Sequence, residues 1–156
     1  MTIDEQGPGE ALLASLRRVA LFEGLRDSTL EEIAPLCTVH HYRGGEHLMD
    51  QDQVDQDLYL VIEGTVDIVA RLPEGVLPRE VVLENMDYEL LGEIAWLRRR
   101  GRTATVRCHD EVQVIRIAGE PFLRYLENHP VIGFPILKRM LLAMTRKLED
   151  SNLFLL

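Results

Sequence analysis

The feature that most constrains the fold is a series of short β-rich segments between about Thr38 and about Ile117. Gly, Asp and Asn residues separate the segments, as is typical of tight turns between strands. In a chain of 156 residues, several closely spaced strands predict an antiparallel β-roll or jelly-roll, because a parallel sheet would need helices between its strands. The predicted strands are Thr38 to Tyr42, Leu58 to Ile62, Thr65 to Ala70, Val81 to Leu83, Thr103 to Cys108 and Val112 to Ile117.

Helical patterns flank this β-rich region on both sides. From Ala11 onward, apolar residues recur three or four positions apart, and a second short helix follows before Pro35. Pro121 and Pro130 each open a further helix, so that two C-terminal helices are predicted over about 121–150. We therefore expect a mainly β domain over 11–156 with N-terminal and C-terminal helices, preceded by a loose polar tail over 1–10.

The last predicted helix has a long apolar stripe with two possible roles. Pro135 near its start costs little only if it falls in the first turn. The stripe either packs on the protein's own barrel or forms the seam of a homodimer. Its members are Ile136, Leu137, Met140, Leu141, Met144 and Leu148.

Composition narrows the functional classes. The formal net charge is −9, with 17 Lys and Arg against 26 Asp and Glu, which disfavours direct binding to nucleic acid or anionic lipid. Two cysteines, Cys37 and Cys108, are too few for a disulfide framework and are expected to be buried. No basic leader or long apolar stretch is visible, so the sequence predicts a cytoplasmic protein.

One segment, Leu91 to Val106, has the pattern of an anion site. Gly92 would let a ligand approach the backbone, and a short helix from Glu93 would direct its unpaired amide groups at that ligand. Arg102, beyond the bend at Gly101, offers a planar fork that matches two phosphate oxygens. Thr103 adds a hydroxyl beside the phosphate, and Ala104 is small enough not to obstruct it.

Glu93 points to a sugar rather than to a second anionic group. A carboxylate is repelled by phosphate, so its expected use is to accept a hydrogen bond from a neutral hydroxyl such as a ribose 2′-OH. Sugar and phosphate together indicate a nucleotide.

From about Leu16 to Leu148 the chain resembles the cyclic nucleotide-binding domain family, the sensor module of catabolite activators, cyclic-nucleotide-dependent kinases and nucleotide-gated channels. The family's phosphate-binding cassette reads approximately Gly-Glu-x-Ala, a short helix, then Arg-(Ser/Thr/Ala)-Ala. The matching residues here are Gly92-Glu93-Ile94-Ala95 and Arg102-Thr103-Ala104. Further similarity lies in Ala20 to Leu25, in Tyr42 to Glu46 and in Tyr59 to Gly64.

The resemblance implies a regulatory domain in signal transduction that binds cAMP or cGMP and needs no cofactor. It implies that Arg102 pairs with the exocyclic phosphate oxygens, that Glu93 holds the ribose 2′-hydroxyl, and that Thr103 lies beside the phosphate and a syn purine. It also implies that the backbone amides near Ile94 and Ala95 complete the phosphate site. Only residues 151–156 follow the last predicted helix, so the DNA-binding domain of the catabolite activators is not expected, and the protein effector is unknown.

Two segments depart from the family pattern. Asp52 to Asp57 replaces the usual Gly-Asp-x-x-Gly-Asp, and Met86 to Leu91 lacks the glycine that usually precedes the cassette. The second departure affects the approach to the pocket rather than its phosphate end.

Two alternatives to a cyclic-nucleotide sensor remain open at this stage. Glu93 and Arg102 could form a simple ion pair, in which case the fold would be a degenerate domain used for dimerisation or partner docking. A cupin-like metal site at His40, His41, His47 and Glu46 is disfavoured, because adjacent strand residues point to opposite faces. No Ser or Cys has a recognisable nucleophile arrangement, so no catalytic residues and no enzymatic activity are predicted.

Overall fold

The computed structural model describes residues 8–71, 74–75, 80–86 and 90–150, and the side chains of Pro8, residues 80–86 and Asp150 are outside that description. The chain divides into two compact units. One unit spans Val39–Glu120, and the other combines the segments up to Thr38 and from Pro121 onward. The predicted tail lies largely outside the described residues, as do residues 87–89 in the altered segment before the cassette.

Within the described residues, eight strands form two four-stranded sheets. The strands are β1 (Cys37–Tyr42), β2 (His47–Met49), β3 (Leu58–Glu63), β4 (Val66–Arg71), β5 (Glu80–Met86), β6 (Leu90–Leu91), β7 (Thr105–Cys108) and β8 (Val112–Ile117). Their order is β1-β8-β3-β6 in one sheet and β2-β7-β4-β5 in the other. The pairs β2–β7, β3–β6, β3–β8, β4–β5 and β4–β7 are antiparallel. This strand order is that of a jelly-roll, as predicted from the sequence.

The two sheets share an apolar core built from alternate residues of their strands. Its buried members are Leu48, Met49, Tyr59, Val61, Val66, Leu91, Val106, Cys108, Val112 and Val114. Gly64, at the turn between β3 and β4, has φ +94°, and a Cβ there would lie 2.9 Å from the Val112 Cα. Only glycine fits both the left-handed backbone and this close approach.

The strand predictions differ from the structure at particular points. β2 and β6 are not predicted, because two or three residues are too few to show a period of two. β7 begins at Thr105 rather than Thr103, so Arg102, Thr103 and Ala104 lie in the connection that precedes it.

The described part of the chain also contains five α-helices. They are α1 (Pro8–Arg18), α2 (Asp27–Ile33), α3 (Glu93–Arg98), α4 (Gly119–Asn128) and α5 (Pro130–Asp150), with short 3₁₀ turns at Ala20–Phe22 and Ala34–Leu36. In the helical unit the rings of Phe22 and Phe122 pack edge to face at 6.3 Å between centroids. Arg139 Nη1 donates to the Leu21 carbonyl at 3.0 Å. No helix in the described part of the chain is long and apolar enough to span a membrane.

One helix boundary is corrected, and the structure adds detail to α5. α1 begins at Pro8 rather than Ala11, so residues 8–10 are helical instead of part of a loose tail. Pro135 is the sixth residue of α5 and therefore lies beyond the first turn, where it removes one backbone hydrogen bond. The apolar stripe of α5 is divided, since Ile136 and Met140 are buried whereas Leu137, Leu141 and Leu148 are 40–61% exposed.

Candidate functional site

The segment that the sequence singles out forms a turn and a short helix between β6 and β7. Gly92 has φ +90° and precedes α3, whose first internal hydrogen bond runs from the Trp96 N–H to the Gly92 carbonyl at 3.2 Å. The helix is only six residues long and ends at Arg99, which has φ +52°. The helix dipole therefore contributes little, and the side chains around the turn determine the chemistry of the site.

Arg102 is the central cation of this site, and its side chain is almost completely buried at 1% exposure. Its Nη1 donates to the Gly92 carbonyl at 3.2 Å, and its Nη2 donates to the Asp57 carbonyl at 2.7 Å. The same Nη2 lies 3.2 Å from Asp55 Oδ2. The Nε of Arg102 is buried and has no hydrogen-bond acceptor among the described residues.

Gly92 has a structural role in addition to the one predicted. Close approach of a ligand to its backbone stays a prediction, and the space that a Cβ on residue 92 would need contains the Arg102 guanidinium. A Cβ on residue 92 would lie 2.6 Å from Arg102 Nη1 and 2.8 Å from the Asp57 carbonyl oxygen. Glycine is thus needed both for the left-handed backbone and for the position of Arg102.

An acidic loop over residues 50–57 lies directly against the Arg102 segment. The Asp52 N–H donates to the Arg102 carbonyl at 2.8 Å, and the Arg102 N–H donates to the Gln53 carbonyl at 2.9 Å. Asp52 has φ +69°, so aspartate adopts the left-handed turn at the first glycine position of the family pattern. The loop keeps its turn and brings its carboxylates to the arginine.

A second arginine completes the cluster. Arg116 on β8 donates through Nε to Asp57 Oδ2 at 2.7 Å and through Nη2 to Asp55 Oδ2 at 3.3 Å. Asp57 Oδ1 accepts the Gly119 N–H at 3.0 Å. The Tyr59 ring centroid lies 5.8 Å from Arg102 Cζ and 5.4 Å from Arg116 Cζ, within cation–π range of both.

The cluster shifts the protonation equilibria of its members and neighbours. Burial raises the pKa of the Tyr59 hydroxyl to about 12. Burial, with the positive charge of Arg116, lowers the pKa of His40. Burial opposes the charged form of Arg116, but the hydrogen bond to Asp57 and the charges of the acidic groups Tyr59, Asp57 and Asp55 together outweigh it and raise the pKa of Arg116. At neutral pH the site therefore contains a neutral tyrosine and a charged Arg116.

The other predicted site residues differ in exposure. Glu93 and Ala95 are buried, whereas Ile94 is 39% exposed, Thr103 is exposed and Ala104 is half-buried. Trp96 is 2% exposed and donates through Nε1 to the Gly119 carbonyl at 2.7 Å, so it packs in the interior. Arg98, Arg99 and Arg100 are exposed. Of the predicted set, the structure brings Gly92 and Arg102 into direct contact.

Sequence reasoning missed the residues that hold Arg102 from the other side, namely Asp55, Asp57, Tyr59 and Arg116. Two signals were present. The acidic residues of the loop stood out as a departure from the family pattern, and Arg116 continues the inward-facing series of Val112 and Val114 on β8. A charged residue at an inward strand position requires a partner.

The histidines considered as metal ligands have separate partners. His47 Nδ1 lies 2.7 Å from Asp50 Oδ1, and His41 Nε2 lies 3.4 Å from Gln113 Nε2. Within the described ranges, no group of three or more His, Cys, Asp or Glu is placed to hold a metal ion.

Solved structures with a similar fold were found. A cyclic nucleotide-binding domain from Methylobacillus flagellatus superposes with a TM-score of 0.74 at 16% identity, over 91% of this chain and 79% of that one. The regulatory domain of Toxoplasma gondii PKA, solved with cAMP, gives a TM-score of 0.67 at 19% identity, over 85% and 49% of the two chains. At these identities the likeness shows the shared fold.

Comparison of the sequence with known proteins goes beyond the shared fold and identifies the family. The cAMP-activated global transcriptional regulator CRP of Escherichia coli is 26% identical over 128 residues, which are 81% of this chain but only 58% of that protein. The family model for the cyclic nucleotide-binding domain matches residues 39–129, more than half of the chain. The chain therefore belongs to the cyclic nucleotide-binding domain family.

Proposed function

We propose that this chain is a regulatory module that binds a 3′,5′-cyclic purine nucleotide, with the phosphate held by Arg102. Gly92, Glu93, Ile94, Ala95, Thr103 and Ala104 complete the proposed site. Binding is transmitted by selecting one arrangement of the C-terminal helices, which requires the ligand to bind one arrangement more tightly than the other. The module performs no reaction of its own, and its effector is a separate protein or domain.

The observation that carries this proposal is the unpartnered Nε of Arg102. A buried N–H on a charged group costs free energy unless an acceptor is supplied. The other two nitrogens each have at least one acceptor, at Gly92, Asp55 or Asp57, so an incoming oxygen at Nε would give every nitrogen of the guanidinium an acceptor. An anionic phosphate oxygen is the strongest such acceptor.

Glu93 supports a sugar beside that phosphate. Its side chain is buried at the first position of α3, immediately after Gly92. A carboxylate beside a phosphate repels a second anion but can accept a hydrogen bond from a neutral hydroxyl, and a ribose 2′-hydroxyl is a donor that a nucleotide provides.

The choice between cAMP and cGMP rests on Thr103. Thr103 is exposed and follows Arg102 directly in the chain, so we place its hydroxyl beside the phosphate, within reach of the amino group of a syn guanine. Threonine at this place in the family often accompanies acceptance of cGMP without excluding cAMP, so both nucleotides belong in the test.

The test is titration calorimetry with cAMP, cGMP, their linear 5′ forms, and adenosine and guanosine. The proposal predicts saturable binding of a cyclic nucleotide and weaker binding of the nucleosides, which lack the phosphate. Arg102→Ala should weaken binding by about 1.5–3 kcal/mol, or one to two decades in Kd. Arg100→Ala is the matched control, since it removes an exposed arginine two residues away and should leave Kd unchanged.

A second candidate is a domain that binds no nucleotide and serves for dimerisation or partner docking. The ion pair between Arg102 and Asp55 favours it, because the protein then supplies its own anion to the site. This candidate predicts no calorimetric signal with any of the six compounds. A homodimer through α5 is compatible with both functions, and the exposed part of the α5 stripe supports it.

A further inference from the structure

A single oxygen atom is shared by the two arginines of the site. Asp55 Oδ2 lies 3.2 Å from Arg102 Nη2 and 3.3 Å from Arg116 Nη2. The Asp55 side chain is 14% exposed, so water screens its charge only weakly. The carboxylate therefore has two alternative cationic partners within hydrogen-bond range.

Arg116 is held in place independently of Asp55. Its Nε bonds to Asp57 Oδ2 at 2.7 Å, and Asp57 is anchored by the Gly119 N–H. The Asp55 carboxylate is itself oriented by the Asp57 N–H, which donates to Asp55 Oδ1 at 2.9 Å. Arg116 can thus keep its hydrogen bond to Asp55 without moving when Arg102 binds a phosphate instead of Asp55.

The side chains of Arg102, Arg116, Asp55 and Asp57 carry two positive and two negative charges. A cyclic phosphate that binds at the unpartnered Nε of Arg102 adds one negative charge. It then competes electrostatically with Asp55, whose Oδ2 lies 3.2 Å from Nη2, for the positive charge of the same guanidinium. If Asp55 had Arg102 as its only cation, binding would leave a nearly buried carboxylate without a full counter-charge, which is costly.

We propose that Arg116 is an affinity-determining residue, which makes Arg102 available to the phosphate by holding the Asp55 carboxylate. This inference rests on the proposed function, since it assigns a role in binding the same cyclic nucleotide. The Asp55 carboxylate competes with the ligand phosphate for Arg102, and Arg116 remains the cationic partner of Asp55 when the phosphate binds.

The test is a double-mutant cycle, in which Kd for cAMP and cGMP is measured by calorimetry for the parent, two single variants and their combination. A second double variant serves as the control. Arg116→Gln should weaken binding about tenfold, and Asp55→Asn alone should tighten it. Asp55→Asn in the Arg116→Gln background should restore Kd to within about threefold of the parent, because the competitor is gone. Melting temperatures without ligand show that each variant is folded.

The control tests whether rescue depends on the position of the Asp55 carboxylate between the two arginines or only on the net charge of the cluster. Asp57→Asn in the Arg116→Gln background removes the same charge as the Asp55 change, and its amide oxygen can still accept the Gly119 N–H. It should leave binding as weak as in Arg116→Gln alone, since Asp57 gives Arg102 only its backbone carbonyl.

Several results would overturn the inference while leaving the proposed function intact. The first is parent-like binding by Arg116→Gln, and the second is equal rescue by both double variants. The third is weaker binding by the single variant Asp55→Asn than by the parent. A parent protein that binds no cyclic nucleotide would overturn the proposed function, and this inference with it.

Discussion

Gly92 and Arg102 depend on each other at the level of single atoms. Gly92→Ala places a methyl group where Arg102 Nη1 and the Asp57 carbonyl now lie, at a φ of +90°. We expect a loss of about 1–3 kcal/mol in the free energy of unfolding, together with weaker nucleotide binding, because the guanidinium must move. Urea unfolding and calorimetry measure the two effects.

Gly45 offers a matched control for the backbone conformation alone. It has φ +89°, and a Cβ there would meet nothing within 4 Å. Gly45→Ala should cost about 1 kcal/mol and leave Kd unchanged. If both alanine variants lose the same stability and bind equally well, the contact between residue 92 and Arg102 has no energetic importance.

The sequence predicts one side of the site and misses the other for a physical reason. Gly92 and Arg102 lie ten positions apart in a recognisable pattern, so their proximity could be expected. Asp55 and Arg116 are 61 positions apart, and only the pairing of β3 with β8 brings them together. The register of that pairing, with Tyr59 opposite Arg116, is not readable from either strand alone.

At the scale of elements, the long strands were predictable and the shortest were not. β3 and β8 each have six residues rich in β-branched and apolar side chains, which is enough to show a strand pattern. β6 has two residues, and it exists because Leu90 and Leu91 pair with Leu60 and Tyr59. Its formation is a tertiary effect that no local pattern contains.

The exposed face of α5 yields a prediction about assembly. Phe134, Leu137, Leu141, Met144 and Leu148 follow a spacing of three and four residues, which is the heptad repeat of a two-helix seam. Phe134 is 70% exposed and Leu141 is 61% exposed. If two copies pair through this face, Leu141→Glu with Leu148→Glu should reduce the mass measured by light scattering from dimer to monomer.

A neighbouring leucine provides the control for that experiment. Leu142 is 49% exposed on the same helix but lies outside the heptad series. Leu142→Glu should therefore leave the dimer intact. A parent protein that is monomeric at high concentration, or a dimer that survives the Leu141 and Leu148 changes, would contradict the seam.

At the scale of the whole molecule, three buried side chains that lose a proton at alkaline pH, two thiols and one phenol, make the free energy of unfolding fall as the pH rises. Burial raises the pKa of Cys37 from 9.0 to about 12, that of Cys108 from 9.0 to about 11, and that of Tyr59 from 10.0 to about 12. Below pH 9 these groups are protonated in both the folded and the unfolded chain, so their contribution is fully present. Between pH 9 and 12 the unfolded chain releases protons that the folded chain keeps, and the free energy of unfolding falls.

Urea unfolding at pH 7 to 10.5 measures this decline, which should approach about 1.4 kcal/mol per pH unit for each proton that only the unfolded chain releases. Cys37→Ala with Cys108→Ala should make the decline shallower while Tyr59 still contributes. The same burial keeps both thiols protonated, so neither should react with a disulfide reagent at pH 8 until urea unfolds the chain. Two results would show that these side chains reach solvent: rapid labelling of the folded protein, or a free energy of unfolding that stays level up to pH 10.5. The jelly-roll core around Tyr59 and Cys108 would then be looser than the burial of these residues indicates.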